Sequence, residues 1–147
     1  GLARERGFEV QLEVNGAEQP EGETNPHVQV KGSYEPQQLA ERMARVDVVA
    51  MASSWYENSP MVIQEAFLHG RPVIAPRLGG MAEKIRDGQT GVLVQPGSAT
   101  AMAEALQRLA NQPELLVQLQ QGVQRLLSRR ADPERGHAQL YRRLMNC

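Results

Sequence analysis

Cysteine is almost absent. The 147-residue chain has one, Cys147, so no disulfide can form within it, and a reducing compartment is compatible. Neither sign of charge is in excess: the formal net charge is -1, which leaves no electrostatic footprint for nucleic acid. No apolar run approaches the roughly 20 residues of a membrane span, and no signal-peptide pattern opens the sequence. The Gly-x-Gly-x-x-Gly dinucleotide fingerprint is missing, since the first strand pattern is followed by Asn15-Gly16-Ala17-Glu18. There is no Asp-x-Asp run, and His27, His69 and His137 are too scattered to hold a metal. Internal repeats and low-complexity segments are also lacking.

The composition that remains is 41% hydrophobic and 22% charged, enough for a packed core in one domain. Short apolar runs alternate with helical patterns. Val10–Val14 alternates as a half-buried strand does and stops at Asn15-Gly16, and His27–Val30 is a second strand closed by Gly32. Gln37–Arg45 reads as a helix with Pro36 at its start. Val46–Met51 is nearly continuous in apolar residues, as expected for a strand buried on both faces. Ser59-Pro60 opens a helix that Gly70 and Pro72 close. Pro72–Ala75 and Gly91–Val94 read as further strands, with a short helix from Gly79-Gly80 toward Asp87-Gly88 between them. Helical segments follow over Ser98–Ala110, Pro113–Arg130 and Pro133–Met145, with Leu106, Leu109, Leu115, Leu116, Leu119, Leu126 and Leu127 at core spacing. Strands separated by helices of about ten residues imply an α/β, Rossmann-like parallel sheet with helices on both faces and a helical C-terminal tail.

Ligands of open parallel sheets bind beyond the carboxyl ends of the strands. That directs attention to the loop after Met51, which carries Glu57 and leads into the helix holding Glu65. The start of that helix offers free backbone N–H groups and a positive dipole end, which suit a phosphate. Glu65 has Met61, Val62 and Leu68 as helical neighbours, an apolar stripe on which a carboxylate needs hydrogen-bond donors such as a ribose diol. An equal reading places Glu65 at the helix rim, half in water.

The run Glu57-Asn58-Ser59-Pro60-Met61-Val62-Ile63-Gln64-Glu65 resembles the Glu-x7-Glu motif of glycosyltransferase family 4. The resemblance continues through Gly70-Arg71-Pro72-Val73-Ile74, Gly79-Gly80, Asp87-Gly88, Gly91–Val94 and Pro96-Gly97, and covers roughly residues 8–110. It implies the C-terminal, donor-binding half of a two-domain GT-B enzyme. Such an enzyme is retaining, independent of divalent metal and free of cofactors. It transfers a sugar from a UDP-, GDP- or ADP-sugar to a glycan or lipid acceptor in polysaccharide biosynthesis. By the same resemblance, Glu65 holds the donor ribose and Glu57 lies by the transferred sugar as the catalytic position. Asn58, Ser59, Pro60, Met61 and Val62 approach the sugar and diphosphate, and Gly32 and Tyr34 lie where the base is contacted. Ala52 stands where many relatives have proline.

Residues 1–147 would then be one donor domain without its first strand, without the Arg and Lys that grip the diphosphate in relatives, and without the acceptor domain. The isolated chain is expected to bind donor without transferring sugar, in the cytoplasm or at the inner face of a membrane. A non-catalytic binding or protein-interaction module is the alternative, and a sugar-nucleotide epimerase of similar fold is a third reading. Other residues carry plainer readings. His69 suits a helix C-terminus. Trp55 and Tyr56 line the sugar pocket or pack in the core. Gly79-Gly80 presents backbone N–H groups to the donor or makes a tight turn. Arg129, Arg130, Arg135, Arg142 and Arg143 form a solvated helix face, with a peripheral membrane contact as the second reading.

Overall fold

In a computed structural model the chain is described over residues 10–16, 22, 25–52 and 61–130. The strands are β1 (Leu12–Asn15), β2 (Val28–Gly32), β3 (Val49–Ala50), β4 (Val73–Pro76) and β5 (Gly91–Val94). The helices are α1 (Leu39–Ala44, entered through a 3-10 turn at Pro36–Gln38), α2 (Met61–Leu68), α3 (Gly79–Lys84), α4 (Ala99–Asn111) and α5 (Pro113–Arg130). Pro133–Met145, expected as a third terminal helix, lies outside the described residues.

Among the described residues all pairing is parallel, in a two-stranded sheet β1-β2 and a three-stranded sheet β3-β4-β5. Leu12 pairs with Val28 and Val14 with Val30 in the first; Val49 pairs with Val73, and Val73 with Gly91, in the second. β4 is central in its sheet and buried along its whole length, so all four of its residues can be apolar. Its alternation divides the core. Val73 and Ala75 face Met43, Ile63, Phe67 and Val123, whereas Ile74 faces Ala105, Leu109 and Leu119. Helices α1 and α2 therefore cover one face and α4 the other. The long helix α5 contributes Leu115 and Leu119 to one core and Val123 and Leu127 to the other.

The expectation for Val46–Met51 needs correction. Only Val49–Ala50 forms a strand, and it is not buried on both faces: Val49 is half-buried and Ala50 exposed. Val49 and Met51 donate their amides to Pro72 and Ile74 of the β4 side, and nothing pairs with the other edge among the described residues. A continuous apolar run specifies a strand with neighbours on both sides; among the described residues one side is unpaired.

Local chemistry fixes the element ends. The Ser98 hydroxyl accepts from the Ala101 amide at 3.0 Å and caps α4. Helix α2 ends in a Schellman arrangement, with Gly70 at φ +72°, its amide on the Phe67 carbonyl, and the Arg71 amide on the Ala66 carbonyl. The His69 Nδ1 donates to the Glu65 carbonyl at 2.8 Å, the C-terminal role expected of it. Arg71 then reaches across to donate from Nε to the Met43 carbonyl at 2.9 Å, tying the end of α1 to β4.

The turn between α3 and β5 is held by Thr90, which is 2% exposed and accepts the Arg86 amide on its hydroxyl at 2.9 Å. Thr90→Val keeps the shape and removes that acceptor. Leaving an amide unsatisfied costs about 1–3 kcal/mol. The variant is expected to lower the urea midpoint by that free energy divided by the m-value, with the m-value itself unchanged. An unchanged midpoint would show that water reaches the Arg86 amide.

Candidate functional site

The order of the strands locates the crevice. The strand orders are β1-β2 in one sheet and β3-β4-β5 in the other, and residues of β1 and β3 line one cavity, which sets these two strands toward each other. The direction of winding reverses between β1 and β3, which is the switch point where ligands of open α/β sheets bind beyond the strand carboxyl ends. Of the sequence-predicted set the described residues are Gly32, Tyr34, Met61, Val62 and Glu65; Gly32 closes β2, and Met61 opens α2, the helix that follows β3.

Gly32 closes β2 at φ +66° and accepts the Gly16 amide at 2.8 Å, so the chain turns away sharply after both strands. Tyr34 follows, half-buried. The Arg42 guanidinium lies 5.1 Å from the centroid of its ring and also donates to the Asn15 side chain. Asn15, Tyr34 and Arg42 thus form one cluster at the carboxyl end of β1. Asn15 and Arg42 were not singled out from sequence. Asn15 read only as a strand stop, and Arg42 as one charge on a short helix. No local pattern marked them, because the contact joins positions 27 residues apart.

On α2 the buried stripe is Ile63, Ala66 and Phe67. Met61, Val62 and Leu68 are 56%, 37% and 48% exposed, so the stripe flanking Glu65 is not in the core. Of the two sequence readings of Glu65, the structure shows the one at the helix rim, half in water: the core takes the i, i+3, i+4 set one position along, and Glu65 is half-exposed. No ion pair or side-chain hydrogen bond is made by its carboxylate among the described residues. Glu65 is thus a carboxylate set between the exposed apolar side chains Met61, Val62 and Leu68.

A cavity of about 640 Å³ is lined by Asn15, Tyr34 and Arg42 and also by Val62, bringing these predicted and unpredicted residues to one wall system. Glu65 and Gly32 are not part of its lining. Gly79 and Gly80 follow β4 at the same end of the sheet. Gly79 is at φ +42° and the Met81 amide bonds the Leu78 carbonyl, so a tight turn into α3 is what they make. Arg77, beside them, is engaged with Asp87 at 2.7 Å, and Asp87 also accepts the Leu93 amide. Glu57, Asn58, Ser59 and Pro60, together with Trp55 and Tyr56, lie outside the described residues. No helix among the described residues is long and apolar enough to cross a membrane.

Residues 2–112 match the family described as glycosyl transferases group 1. The chain is 32% identical over 132 residues to the D-inositol 3-phosphate glycosyltransferase of Rhodococcus erythropolis, covering 80% of this chain and 30% of that protein. Among solved structures it resembles the sucrose-phosphate synthase of Thermosynechococcus elongatus, with a TM-score of 0.71, 27% identity, and coverage of 98% of this chain and 41% of the other. It also resembles Anabaena Alr3699/HepE in complex with UDP-glucose, with a TM-score of 0.68, 27% identity, and coverage of 84% and 33%. The chain thus spans less than half the length of each.

Proposed function

Because the chain belongs to the group 1 glycosyl transferases, we propose that it is the donor-binding half of a retaining family 4 enzyme that transfers a sugar from a nucleoside-diphosphate sugar. The observation that carries this reading is Glu65: a half-exposed carboxylate without a protein partner among the described residues, between exposed Met61 and Leu68, on the helix that follows the switch-point strand. Two hydroxyls of a ribose can bond one carboxylate, and charge-assisted bonds of that kind are the strong ones. The amides at the start of α2 would take the diphosphate, with Asn58, Ser59, Pro60, Met61 and Val62 along the sugar and Glu57 beside the transferred ring. Gly32 and Tyr34 would approach the base, with the Tyr34 ring held by Arg42. The likeness to a structure holding UDP-glucose supports a uridine donor in particular.

The chemistry assigned to these residues is positioning and charge stabilisation. Cleavage of the anomeric bond builds positive charge on the sugar and negative charge on the departing diphosphate. Backbone N–H groups and the helix dipole offset the second without a divalent metal. The acceptor side is supplied by another part of a longer protein.

Thermal melting of the 147-residue chain with UDP, GDP and ADP and their glucose conjugates tests the reading. At 100 times Kd the bound ligand adds about 2.7 kcal/mol. One nucleotide family should raise the melting temperature, and EDTA should leave the rise unchanged. Absence of any shift removes donor binding. A shift that disappears with EDTA and returns with magnesium or manganese removes the metal-independent mechanism.

A further inference from the structure

Arg42 holds two other side chains at once. It is half-buried on α1; its guanidinium lies over the Tyr34 ring, 5.1 Å from the centroid, and its Nη1 donates to Asn15 Oδ1. A planar guanidinium suits both tasks, because it stacks through its face and donates from its edge. The three residues come from separate elements: Asn15 ends β1, Tyr34 follows the end of β2, and Arg42 lies on α1. Asn15 pairs with Gly32 in the β1-β2 ladder, so Asn15 and Tyr34 stand at the same end of that sheet.

The bond from Arg42 fixes which way the Asn15 amide faces. A guanidinium has donors and no acceptor, so Oδ1 must take the Arg42 side and Nδ2 the other. A half-turn of the amide would set two donors against each other, one of them charged. Asn15 is exposed, and among the described residues no acceptor engages Nδ2. Arg42 covers one face of the Tyr34 ring, which leaves the opposite face for stacking. The cluster thus offers an aromatic face beside a fixed N–H donor. A flat ligand with an acceptor on its edge fits both. The nucleobases divide on this point: uracil O4 and guanine O6 accept, whereas cytosine and adenine carry a donating amino group at the corresponding place.

We propose that Asn15 reads the base of the nucleotide. Its Nδ2 donates to the ring carbonyl of a keto base, uracil O4 or guanine O6, while the base stacks on Tyr34, and Arg42 is the positioning residue that holds both side chains. This rests on the reading of Gly32 and Tyr34 as base-contacting positions. Cytosine or adenine would bring an amino donor against the Nδ2 donor and leave both unpaired, the kind of mismatch a hydrogen-bonding site rejects most strongly.

Calorimetric titration of the 147-residue chain with UDP, CDP, GDP and ADP tests the proposal. UDP and CDP share ribose and diphosphate and differ along one edge of the base; the GDP–ADP pair shows whether guanine is the keto base instead. The keto member of the pair that binds should bind at least about tenfold more tightly than the amino member. Asn15→Asp keeps Arg42 on one oxygen and turns an acceptor toward the base, so this preference should fall by about tenfold or more and move toward the amino base. The added charge repels every diphosphate alike and leaves the ratio untouched. Arg42→Met frees the amide to turn, and the ratio should fall toward one; Arg42→Lys, which still donates to Oδ1, should restore most of it. A parent that binds both members equally would overturn the proposal. So would an Asn15→Asp variant that weakens both members equally, or an Arg42→Met variant with the parent's ratio, the results expected if the cluster only ties α1 to β1. In those cases a Glu65→Gln variant weakened toward every nucleotide would show that the donor site itself stands. Failure of all four nucleotides to bind would remove the donor site and this proposal together.

Discussion

Replacing Glu65 with glutamine is expected to lower nucleotide affinity roughly 10- to 100-fold, the loss of about 1.5–3 kcal/mol that charge-assisted hydrogen bonds contribute. The substitution keeps the side chain's shape and takes away the charge that two ribose hydroxyls would share. Stability should stay within about 0.5 kcal/mol of the parent, because Glu65 is half-exposed and its carboxylate makes no bond to the described residues. Calorimetric titration with the best nucleotide, alongside melting curves, separates binding from folding. A 2′-deoxy nucleotide supplies a second comparison. It should bind the parent more weakly, and its penalty should shrink in the variant; equal penalties in both proteins would show that Glu65 does not read the ribose. A large loss of stability would instead mean that Glu65 serves the fold.

Gly122→Ala is expected to destabilise the domain by about 2 kcal/mol or more, the range for forcing an extra group into a packed site. Helix propensity points the other way, since alanine in a helix interior is favoured over glycine by about 1 kcal/mol. Geometry decides. Gly122 is buried on α5, and an added Cβ would lie 1.7 Å from the Gln89 carbonyl oxygen and 2.7 Å from its carbon. That obstacle is main chain, and it cannot retreat freely. The Gln89 and Thr90 amides are both bonded to the Arg86 carbonyl, Gly88 bonds Gly91, and Gln118 of α5 reaches the Gly88 carbonyl at 3.3 Å. A decrease of roughly 5–10 °C in melting temperature is expected for a chain of this size. A rise would mean that the turn moves away and that propensity wins.

Much of the fold was legible in the sequence because it rests on local rules. The alternating and continuous apolar runs marked β1, β2, β4 and β5 to within a few residues. Gly70, Ser98 and Pro113 sit at helix ends for reasons of backbone geometry and hydrogen bonding that depend on only a few neighbours. The motif around Glu57 and Glu65 pointed to the group 1 glycosyl transferases, and residues 2–112 match that family. Tyr34 and Gly32 were reached through the same resemblance, not through any pattern of their own.

What the sequence could not supply was which of several apolar stripes the core would take, and what would lie beside each strand. On α2 both Met61-Val62-Leu68 and Ile63-Ala66-Phe67 have helical spacing; packing against β4 and α5 selected the second and left Glu65 at the surface. Val46–Met51 has the composition of a strand with two neighbours. Its pairing depends on residues far away in the chain, and among the described residues only β4 pairs with it. The joining of Asn15, Tyr34 and Arg42 likewise comes from bringing β1, the turn after β2 and α1 together. Periodicity, caps and turns are set by contacts a few residues apart, so the sequence by itself determined the elements, their order and the family. Burial and strand neighbours are set by contacts tens of residues apart, so only the tertiary structure decided the pairing of β3 among the described residues and the exposed setting of Glu65.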